Sequence, residues 1–301
     1  MVKKITTESD GKDVFSLPWG VARDEGFFAE EGLQVEFLGP GRGQRAPTLL
    51  EDHRLVDSLR GHEPFEQGQA QVYRACEWGQ IRRAYDSKVG GQVIGRRAAV
   101  AVMAIYTRPD SPIIHPQGLR GKKIGVNFHA GSHYAALQML EGFLQRDEIK
   151  VVHVGGPQGR YEAMMSGEVD ASALMEPWNT LAEKNGCHKI IETHYVGSDI
   201  GSPDLGAETF EAINRAIKKA VRRINANKRK YVHHLIESLP EKYAKQLTPD
   251  DFYLPRLRYV DPTPYPEEEF EKTYNWMVSW GLIGPDATFD QLVDNRISVA
   301  S

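Results

Sequence analysis

Two distant stretches of the chain share one pattern: residues 68–79 read GQAQVYRACEWG, and residues 167–178 read GEVDASALMEPW. Each opens with glycine, continues through a short run typical of a buried strand, and closes on a glutamate and a tryptophan. Ligand sites of α/β proteins lie at the carboxyl ends of strands. The repeat therefore predicts two lobes that present Glu77, Trp78, Glu176 and Trp178 to one cleft. The alternative is that both stretches are ordinary strand ends with a half-buried tryptophan.

The composition is typical of a soluble, globular chain of 301 residues, of which 26% are charged. This length predicts one large domain or two domains of about 150 residues. The formal net charge of -4 argues against a general polyanion-binding surface, so no nucleic-acid partner is expected. No run approaches the roughly 18 apolar residues of a membrane span. Cys76 and Cys187 form neither a disulfide framework nor a metal site by their spacing, and no metal or cofactor is expected.

The first ten residues, MVKKITTESD, contain no apolar segment and no small-residue cleavage site. They are not expected to form a secretory signal. Two interpretations stay open. The protein is cytoplasmic as the sequence is written, or it is periplasmic or otherwise extracytoplasmic if the sequence is a trimmed mature form.

The order of predicted elements indicates an α/β fold with a mainly parallel sheet in each of two lobes. Strands are expected at residues 14–17, 33–38, 92–95, 98–106, 151–154 and 186–192, and the stretch 118–126 is expected to end in another strand. Helices are expected at residues 21–31, 134–144, 159–165, 206–227 and 266–280, with a partly helical stretch at 49–65. Residues 39–45, which are rich in glycine and arginine, are expected to form a loop. If residues 98–106 and the strand near residue 189 cross between lobes, lobe 1 contains residues 1–106 and 191–301, and lobe 2 is the inserted segment 107–190.

A turn between a strand and a helix, residues 127–133, is the best candidate for an anion site. Ser132 suits the N-cap of the following helix. Free N–H groups and the positive end of the helix dipole would receive a carboxylate, sulfonate or phosphate group there. The alternative is a helix start that Ser132 merely caps.

Several blocks of sequence occur in the order found in one known family. They are residues 19–37 (WGVARDEGFFAEEGLQVEF), 119–126 (LRGKKIGV), 165–171 (MSGEVDA) with Glu176-Pro177, and 224–227 (INAN). Together they resemble the NMT1/THI5-like family of periplasmic-binding-protein folds. That family includes solute receptors of importers for sulfonates, nitrate, taurine and thiamine-pyrimidine precursors.

The resemblance implies a periplasmic-binding-protein-like type II fold, in which two α/β lobes close on a small molecule around a central cleft. Carried onto this chain, the family's cleft implies ligand-binding roles for Leu17, Trp19, Cys76, Glu77, Trp78, His129, Ser132, His133, Glu176 and Trp178. The chain departs from the family in three respects. It lacks a signal peptide or lipobox cysteine, the cysteine-rich motif of the yeast pyrimidine-precursor synthases, and the nucleophilic cysteine that the sulfinate desulfinase places after its first strand.

Two functions fit these residues. In a solute receptor, Trp19, Trp78 and Trp178 would stack on the ligand, and two carboxylates would disfavour a purely anionic ligand. The expected ligand is therefore a nitrogen-containing heterocycle or an amine-bearing molecule, with an ABC-transporter permease as partner if the protein is exported.

The alternative function is a cytoplasmic hydrolase or lyase on the same fold. Cys76 would be its nucleophile, and Glu77, His129 and His133 would be candidates for acid–base roles. The competing interpretation of Cys76 is a small buried strand residue, and that of each histidine is a surface or capping residue.

Overall fold

The computed structural model describes residues 2–8, 12–39 and 45–297. Most of the predicted loop at residues 39–45 lies outside the described residues. None of the helices in the described part of the chain has the length and apolar composition to cross a membrane.

The described strands form one mixed sheet. They are β1 (Lys3–Thr7), β2 (Leu33–Phe37), β3 (Arg45–Leu50), β4 (Val72–Ala75), β5 (Gln92–Thr107), β6 (Lys123–Val126), β7 (Lys150–Gly155), β8 (Ala171–Leu174), β9 (His188–Gly201) and β10 (Arg258–Tyr259). Their order is β2-β1-β4-β9-β5-β8-β6-β7-β3, with β10 paired to β5.

Helices cover this sheet and extend beyond it. They are α1 (Leu17–Asp24), α2 (Phe27–Glu30), α3 (Glu63–Glu66), α4 (Glu77–Asp86), α5 (Gly131–Leu140), α6 (Pro157–Met165), α7 (Trp178–Lys184), α8 (Ala207–Ala226), α9 (Lys228–Glu237), α10 (Glu241–Ala244), α11 (Glu267–Ser279) and α12 (Phe289–Leu292). Short 3₁₀ turns lie at His53–Leu55, Pro116–Leu119, Arg146–Glu148, Pro249–Asp251 and Leu254–Arg256.

The long antiparallel pair β5–β9 occupies the centre of the sheet. On one side, β9 pairs with β4, and β4 continues in parallel to β1 and β2. On the other side, β5 pairs with β8, which continues in parallel to β6 and β7. The predicted α/β class is confirmed. The boundaries of the two predicted lobes stay a prediction.

Three of the predicted elements differ from the structure. Residues 14–17 are not a strand, because Asp13 accepts the N–H groups of Phe15 and Ser16 and starts a turn into α1. Pro18 in the first turn of α1 fits this helix start. The predicted helix at 21–31 is broken at Gly26, whose φ of 79° is left-handed and favours glycine. The stretch 49–65 is largely not helical: it begins in β3 and ends in the short helix α3.

Four strand–turn–helix units position the candidate site. The turns after β4, β6, β7 and β8 lead directly into α4, α5, α6 and α7. The strands β6, β7 and β8 run parallel, so their carboxyl ends meet at one edge of the sheet. The N-termini of α5, α6 and α7 therefore gather at that edge, where a cavity lies.

Candidate functional site

A cavity of about 540 Å³ lies where these helices begin. Small-molecule sites are commonly about 300–1,000 Å³. Its wall includes the N-cap or first-turn residues of four helices: Cys76 before α4, Ala130 to Ser132 at α5, Gly156 to Gln158 at α6, and Pro177 with Trp178 at α7. The cavity therefore faces several positive helix ends.

The start of α5 presents hydrogen-bond donors to the cavity. The first intrahelical acceptor is the Ala130 carbonyl, which accepts from His133 and Tyr134. The amides of Gly131 and Ser132 precede those bonds, as expected in the first turn of a helix. The Ser132 hydroxyl oxygen accepts the Asn127 N–H at 2.9 Å, so its own proton is available to another acceptor. Ser132 is thus not the N-cap, which is Ala130.

Arg160, at the end of the first turn of α6, lines the cavity although the residue is only 3% exposed. Its guanidinium makes no ion pair with a carboxylate among the described residues, and its Nε has no acceptor there. Burial lowers the pKa of Arg160 to about 10, so the group is charged at neutral pH. A buried charge without a partner is costly. An anion in the cavity would provide that partner.

Arg83 is a second buried guanidinium on the cavity wall. Its Nη2 donates to the His129 carbonyl at 3.3 Å, and its Nη1 lies 3.5 Å from the Gln80 side-chain oxygen. Within the described residues it has no carboxylate partner at ion-pair distance. Arg83 and Arg160 therefore both add positive potential to the cavity.

His153, within β7, adds an uncharged hydrogen-bond donor. Its Nδ1 accepts the Phe128 N–H at 3.0 Å, which leaves the proton of a neutral imidazole on Nε2. Burial lowers the pKa of His153 to about 4, so the ring is neutral near pH 7. Because the ring lines the cavity, it can donate a hydrogen bond to a ligand there.

Aromatic rings form much of the remaining wall: Phe15, Tyr73, Phe128, Trp178 and Tyr195. Trp178 packs against Tyr161 and Tyr243 with ring centroids 5.3 and 5.2 Å apart. Tyr195 lies in the central strand β9 and packs against Trp78 at 4.9 Å. The cavity thus offers flat apolar surfaces beside its polar groups.

The acidic side chains on the wall, apart from Glu176, come from residues 8–63. Each accepts a backbone N–H group: Phe65 for Glu8, Ser16 for Asp13, Leu59 for Asp57, and Gly61 for Glu63. The donors Arg83, Ser132, His153 and Arg160 come from residues 83–160. Carboxylates and hydrogen-bond donors therefore come to the wall from different segments of the chain. One exception is the exposed Arg60, which lies in the segment of the carboxylates.

Glu176 lines the cavity, but both of its carboxylate oxygens are engaged. One accepts from Arg256 at 2.6 Å, and the other accepts the Thr180 hydroxyl at 2.8 Å. Arg256 also donates to Glu183 at 2.7 Å. The Glu176 carboxylate therefore belongs to a buried ion pair that holds α7 to the segment around residue 256.

Of the ten predicted site residues, the cavity wall includes Cys76, Ser132, Glu176 and Trp178. Leu17 and Trp19 instead lie in the core within α1. The Trp19 ring packs against Phe28 at 5.6 Å and beneath the Arg74 guanidinium at 4.2 Å. This placement follows from the helix that replaces the predicted first strand.

Glu77 and Trp78 are not on the cavity wall, because α4 begins at Glu77 and turns both side chains away. Trp78 packs between Tyr134 and Tyr195. Glu77 accepts the Tyr265 hydroxyl at 3.3 Å. Burial raises the pKa of Glu77 to about 7. The pattern shared by the two stretches thus ends in helix starts, not in two symmetric strand ends.

His129 and His133 lie behind the wall. The Nε2 of His129 donates to the His53 carbonyl at 2.9 Å, and the His129 N–H points to Nδ1 of His133 at 3.4 Å. Burial lowers the pKa of His129 to about 4 and that of His133 well below its ordinary value. Within the described residues, no three His, Cys, Asp or Glu side chains are arranged to hold a metal ion.

The Cys76 thiol caps α4 by accepting the Gly79 N–H at 3.2 Å. Burial raises the pKa of this thiol, although the nearby Arg83 acts in the opposite direction. No hydrogen bond joins Cys76 to a histidine in the described part of the chain. A thiolate nucleophile is therefore not favoured, and the geometry fits the interpretation of Cys76 as a buried structural residue.

Arg83, His153, Arg160 and Tyr195 were absent from the sequence-based site. His153 carried a usable signal, since it is a polar residue inside the apolar run of β7. Arg160 follows the turn Gly155–Pro157 at a helix start, which is the same arrangement that marked Ser132. Arg83 and Tyr195 had no local signal, because only the packing of α4 and β9 brings them to the cavity.

Three solved structures share this architecture. The alkanesulfonate-binding protein from Xanthomonas axonopodis pv. citri, bound to MOPS, aligns with a TM-score of 0.70 at 12% identity over 97% of this chain and 98% of that chain. A Candida albicans gene product with the generic periplasmic binding protein fold aligns with a TM-score of 0.71 at 13% identity over 100% and 99%. A desulfurization enzyme in complex with biphenyl-2-sulfinic acid aligns with a TM-score of 0.65 at 14% identity over 98% and 97%. The chain is thus an α/β protein of the periplasmic-binding-protein fold.

Within that class, residues 87–226 match the family described as NMT1/THI5 like. The predicted resemblance to the NMT1/THI5-like family is thereby confirmed. No curated protein sequence matches the chain significantly. The low identities to the solved structures establish the fold alone.

Proposed function

We propose that the protein is an extracytoplasmic solute receptor that binds a small organic anion in the cavity and delivers it to a membrane importer. The observation that carries this proposal is the buried guanidinium of Arg160, which lines the cavity without a carboxylate partner among the described residues. A bound sulfonate or carboxylate would complete its ion pair. Charge-assisted hydrogen bonds of this kind are the strong ones.

The other donors support an oxyanion as the ligand group. Ser132, the amide of Gly131 and the neutral His153 each offer a proton at the same cavity. Helix N-termini bind anions through free N–H groups and the helix dipole. A tetrahedral or planar oxyanion has enough acceptor oxygens to use several of these donors at once.

The structure changes the basis for expecting a nitrogen-containing ligand. It depended on Glu77 and Glu176, yet Glu77 lies off the cavity and Glu176 is paired with Arg256. The cavity wall includes four other carboxylates, and these support an amine on the ligand. They belong to Glu8, Asp13, Asp57 and Glu63. We therefore expect the ligand to carry an anionic group and, at its other end, an amine or nitrogen heterocycle.

The comparisons support the receptor more than an enzyme. One of the similar structures is an alkanesulfonate-binding protein, and the NMT1/THI5-like match covers residues 87–226. The enzyme alternative retains two observations: Cys76 lines the cavity, and the desulfurization enzyme shares the fold. The raised pKa of the Cys76 thiol weakens that alternative.

A size-matched charge series tests the proposal. The full chain would be titrated calorimetrically with 1-propanesulfonate, butanoate, propylamine and 3-aminopropanesulfonate, with MOPS as a larger probe. We expect at least one sulfonate or carboxylate to bind about tenfold or more tightly than propylamine, which corresponds to about 1.4 kcal/mol. We also expect 3-aminopropanesulfonate to bind more tightly than 1-propanesulfonate.

The controls separate the two parts of the proposal. Binding of propylamine in preference to both anions, or no binding by any anion, would overturn the anion receptor. Equal binding of 1-propanesulfonate and 3-aminopropanesulfonate would overturn only the amine. Mass spectrometry of the recovered ligand would distinguish a receptor from an enzyme, because a receptor leaves its ligand unchanged.

A further inference from the structure

We propose that residues 51–61 form a lid over the cavity and that His129 is the positioning residue that holds this lid closed. The inference rests on the proposed function only in treating the cavity as the ligand site. His129 would act through the lid without touching the ligand.

The lid contributes both to the cavity wall and to the protein surface. Its inner side lines the cavity through Val56, Asp57, Arg60 and Gly61. Its outer side exposes Arg54 and Leu55, and Leu55 is 69% exposed despite being apolar. Regular structure within the lid is limited to the 3₁₀ turn His53–Leu55. The hydrogen bonds within this segment, such as those that Asp52 accepts from Arg54 and Asp57 accepts from Leu59, are local and join it to no other part of the fold.

One hydrogen bond joins the lid to the turn before α5. The Nε2–H of His129 donates to the His53 carbonyl at 2.9 Å, and the two rings lie 5.7 Å apart in an edge-on arrangement. The His53 ring also lies near Phe128 and His133, with centroids 6.3 and 5.9 Å away. Among the described residues, two further polar contacts join the lid to other segments. They are an exposed ion pair between Glu51 and Lys123 and a hydrogen bond from Ser58 to Asp86.

The backbone of His129 is shaped for this contact. Its φ of 59° lies in the left-handed region, which is uncommon for a residue other than glycine. Residues held in such conformations are concentrated at ligand clamps and switch regions. The next residues, Ala130 to Ser132, line the cavity at the start of α5. One short turn thus contains both the residue that holds the lid and the proposed anion site at the start of α5.

Opening the lid requires the His53–His129 bond to break. The tether should therefore slow the escape of a bound ligand and protect the lid from proteases in the absence of ligand. The two effects can be measured separately, because the second does not depend on knowing the ligand.

Limited trypsin digestion of the ligand-free full chain tests the tether first. The variant His129→Gly deletes the imidazole, and glycine adopts the left-handed φ without strain. We expect cleavage after Arg54 and Arg60 to accelerate about tenfold, while cleavage after Arg120 and Lys122, two exposed sites outside the lid, stays unchanged. His129→Gln, which keeps an N–H donor of similar reach, should restore part of the protection.

A matched control is His188→Gly. His188 makes the same kind of bond, from Nε2 to the Pro109 carbonyl at 3.0 Å, at a site outside the lid. This variant should leave cleavage after Arg54 and Arg60 at the wild-type rate. Equal cleavage of wild type and His129→Gly, or equal acceleration at all four sites, would overturn the lid tether.

A second measurement follows the dissociation of 3-aminopropanesulfonate by stopped flow. We expect His129→Gly to raise the dissociation rate constant about tenfold and to change the association rate constant much less. An unchanged dissociation rate constant would contradict the positioning role. Failure of this probe to bind the wild type would count against the proposed anion receptor. The lid proposal would then be tested by the trypsin result alone. If it binds and the trypsin rates are equal, the lid fails and the receptor stands.

Discussion

The hydroxyl oxygen of Tyr195 occupies the space that a β-carbon on Gly131 would need. Tyr195 belongs to the central strand β9, whereas Gly131 is the first residue of α5. The start of α5 can approach β9 this closely only because residue 131 has no side chain. The position of the proposed anion site at the start of α5 therefore depends on the contact between Gly131 and the Tyr195 side chain.

The variant Gly131→Ala should displace the start of α5 and weaken anion binding. A new methyl group would collide with the Tyr195 hydroxyl and would lie only 3.2 Å from the Cys76 β-carbon. Overpacking of this kind typically costs about 1–3 kcal/mol of unfolding free energy. Chemical denaturation and calorimetry with 3-aminopropanesulfonate would measure the two effects.

The double variant Gly131→Ala with Tyr195→Phe provides the control. Removing the hydroxyl vacates the space that the methyl group needs, so the pair should recover a large part of the lost stability. Such a non-additive result is the sign of a direct contact. Strict additivity of the two substitutions would show that the loss in Gly131→Ala has another cause.

Arg160→Met is expected to separate ligand binding from stability. The substitution removes the charge that we assign to the ligand anion, so sulfonate affinity should fall by about tenfold or more. The unfolding free energy should stay level or rise, because the substitution replaces a buried guanidinium, which has no carboxylate partner among the described residues, by an apolar side chain. Arg120→Met, at an exposed arginine, is the control and should change neither quantity appreciably. Loss of stability together with full retention of binding would exclude Arg160 from the site.

Glu176→Gln should affect stability more than binding. The Glu176 carboxylate accepts from Arg256 at 2.6 Å in a buried pair, so its loss leaves the Arg256 guanidinium with Glu183 as its main partner. Removing one member of a buried ion pair is strongly destabilising, by about 3–5 kcal/mol when no other partner remains. With Glu183 still present, we expect a loss of about 1–3 kcal/mol in denaturant titrations. A large fall in affinity with unchanged stability would instead return Glu176 to the ligand site.

The sequence predicted the fold well where elements are long and regular. For example, α8 lies within the predicted helix at residues 206–227, and its apolar stripe of Phe210, Ile213, Ile217, Ala220 and Ile224 is buried. It failed at residues 14–17, where four residues of mixed polarity fit a strand or a helix start equally. The structure of such short runs is decided by local side-chain-to-backbone contacts, here the turn that Asp13 forms, and not by periodicity.

Only part of the candidate site could be predicted from the sequence, for a related reason. Ser132 and Trp178 follow strand ends, and both line the cavity. Glu77 and Trp78 do not, because a helix begins at Glu77 and turns successive side chains by about 100° each. A charged residue such as Arg160 in a first helical turn is usually solvated. Its burial is a product of tertiary packing, which no local pattern reveals.

The half-buried carboxyl of Glu77 should make the stability of the protein fall as the pH rises. Burial raises the pKa of Glu77 from its ordinary 4.5 to about 7 in the folded protein. The folded state therefore holds this proton more tightly than the unfolded state does. The resulting stabilisation is fully present below pH 4.5 and is lost as the pH rises through 7, amounting to about 1–3 kcal/mol.

Glu77→Gln removes this dependence because glutamine does not ionise, and its amide oxygen can still accept the Tyr265 hydroxyl. Unfolding free energies would be measured by urea titration of both proteins at pH 5, 6, 7 and 8. Subtracting the variant from the wild type at each pH cancels other titrating groups, including His129 and His153, whose lowered pKa values act in the opposite direction. The difference should favour the variant increasingly from pH 5 to pH 8. A difference that is constant over this range would mean that the Glu77 carboxyl is solvated in the folded protein and ionises near its ordinary pKa.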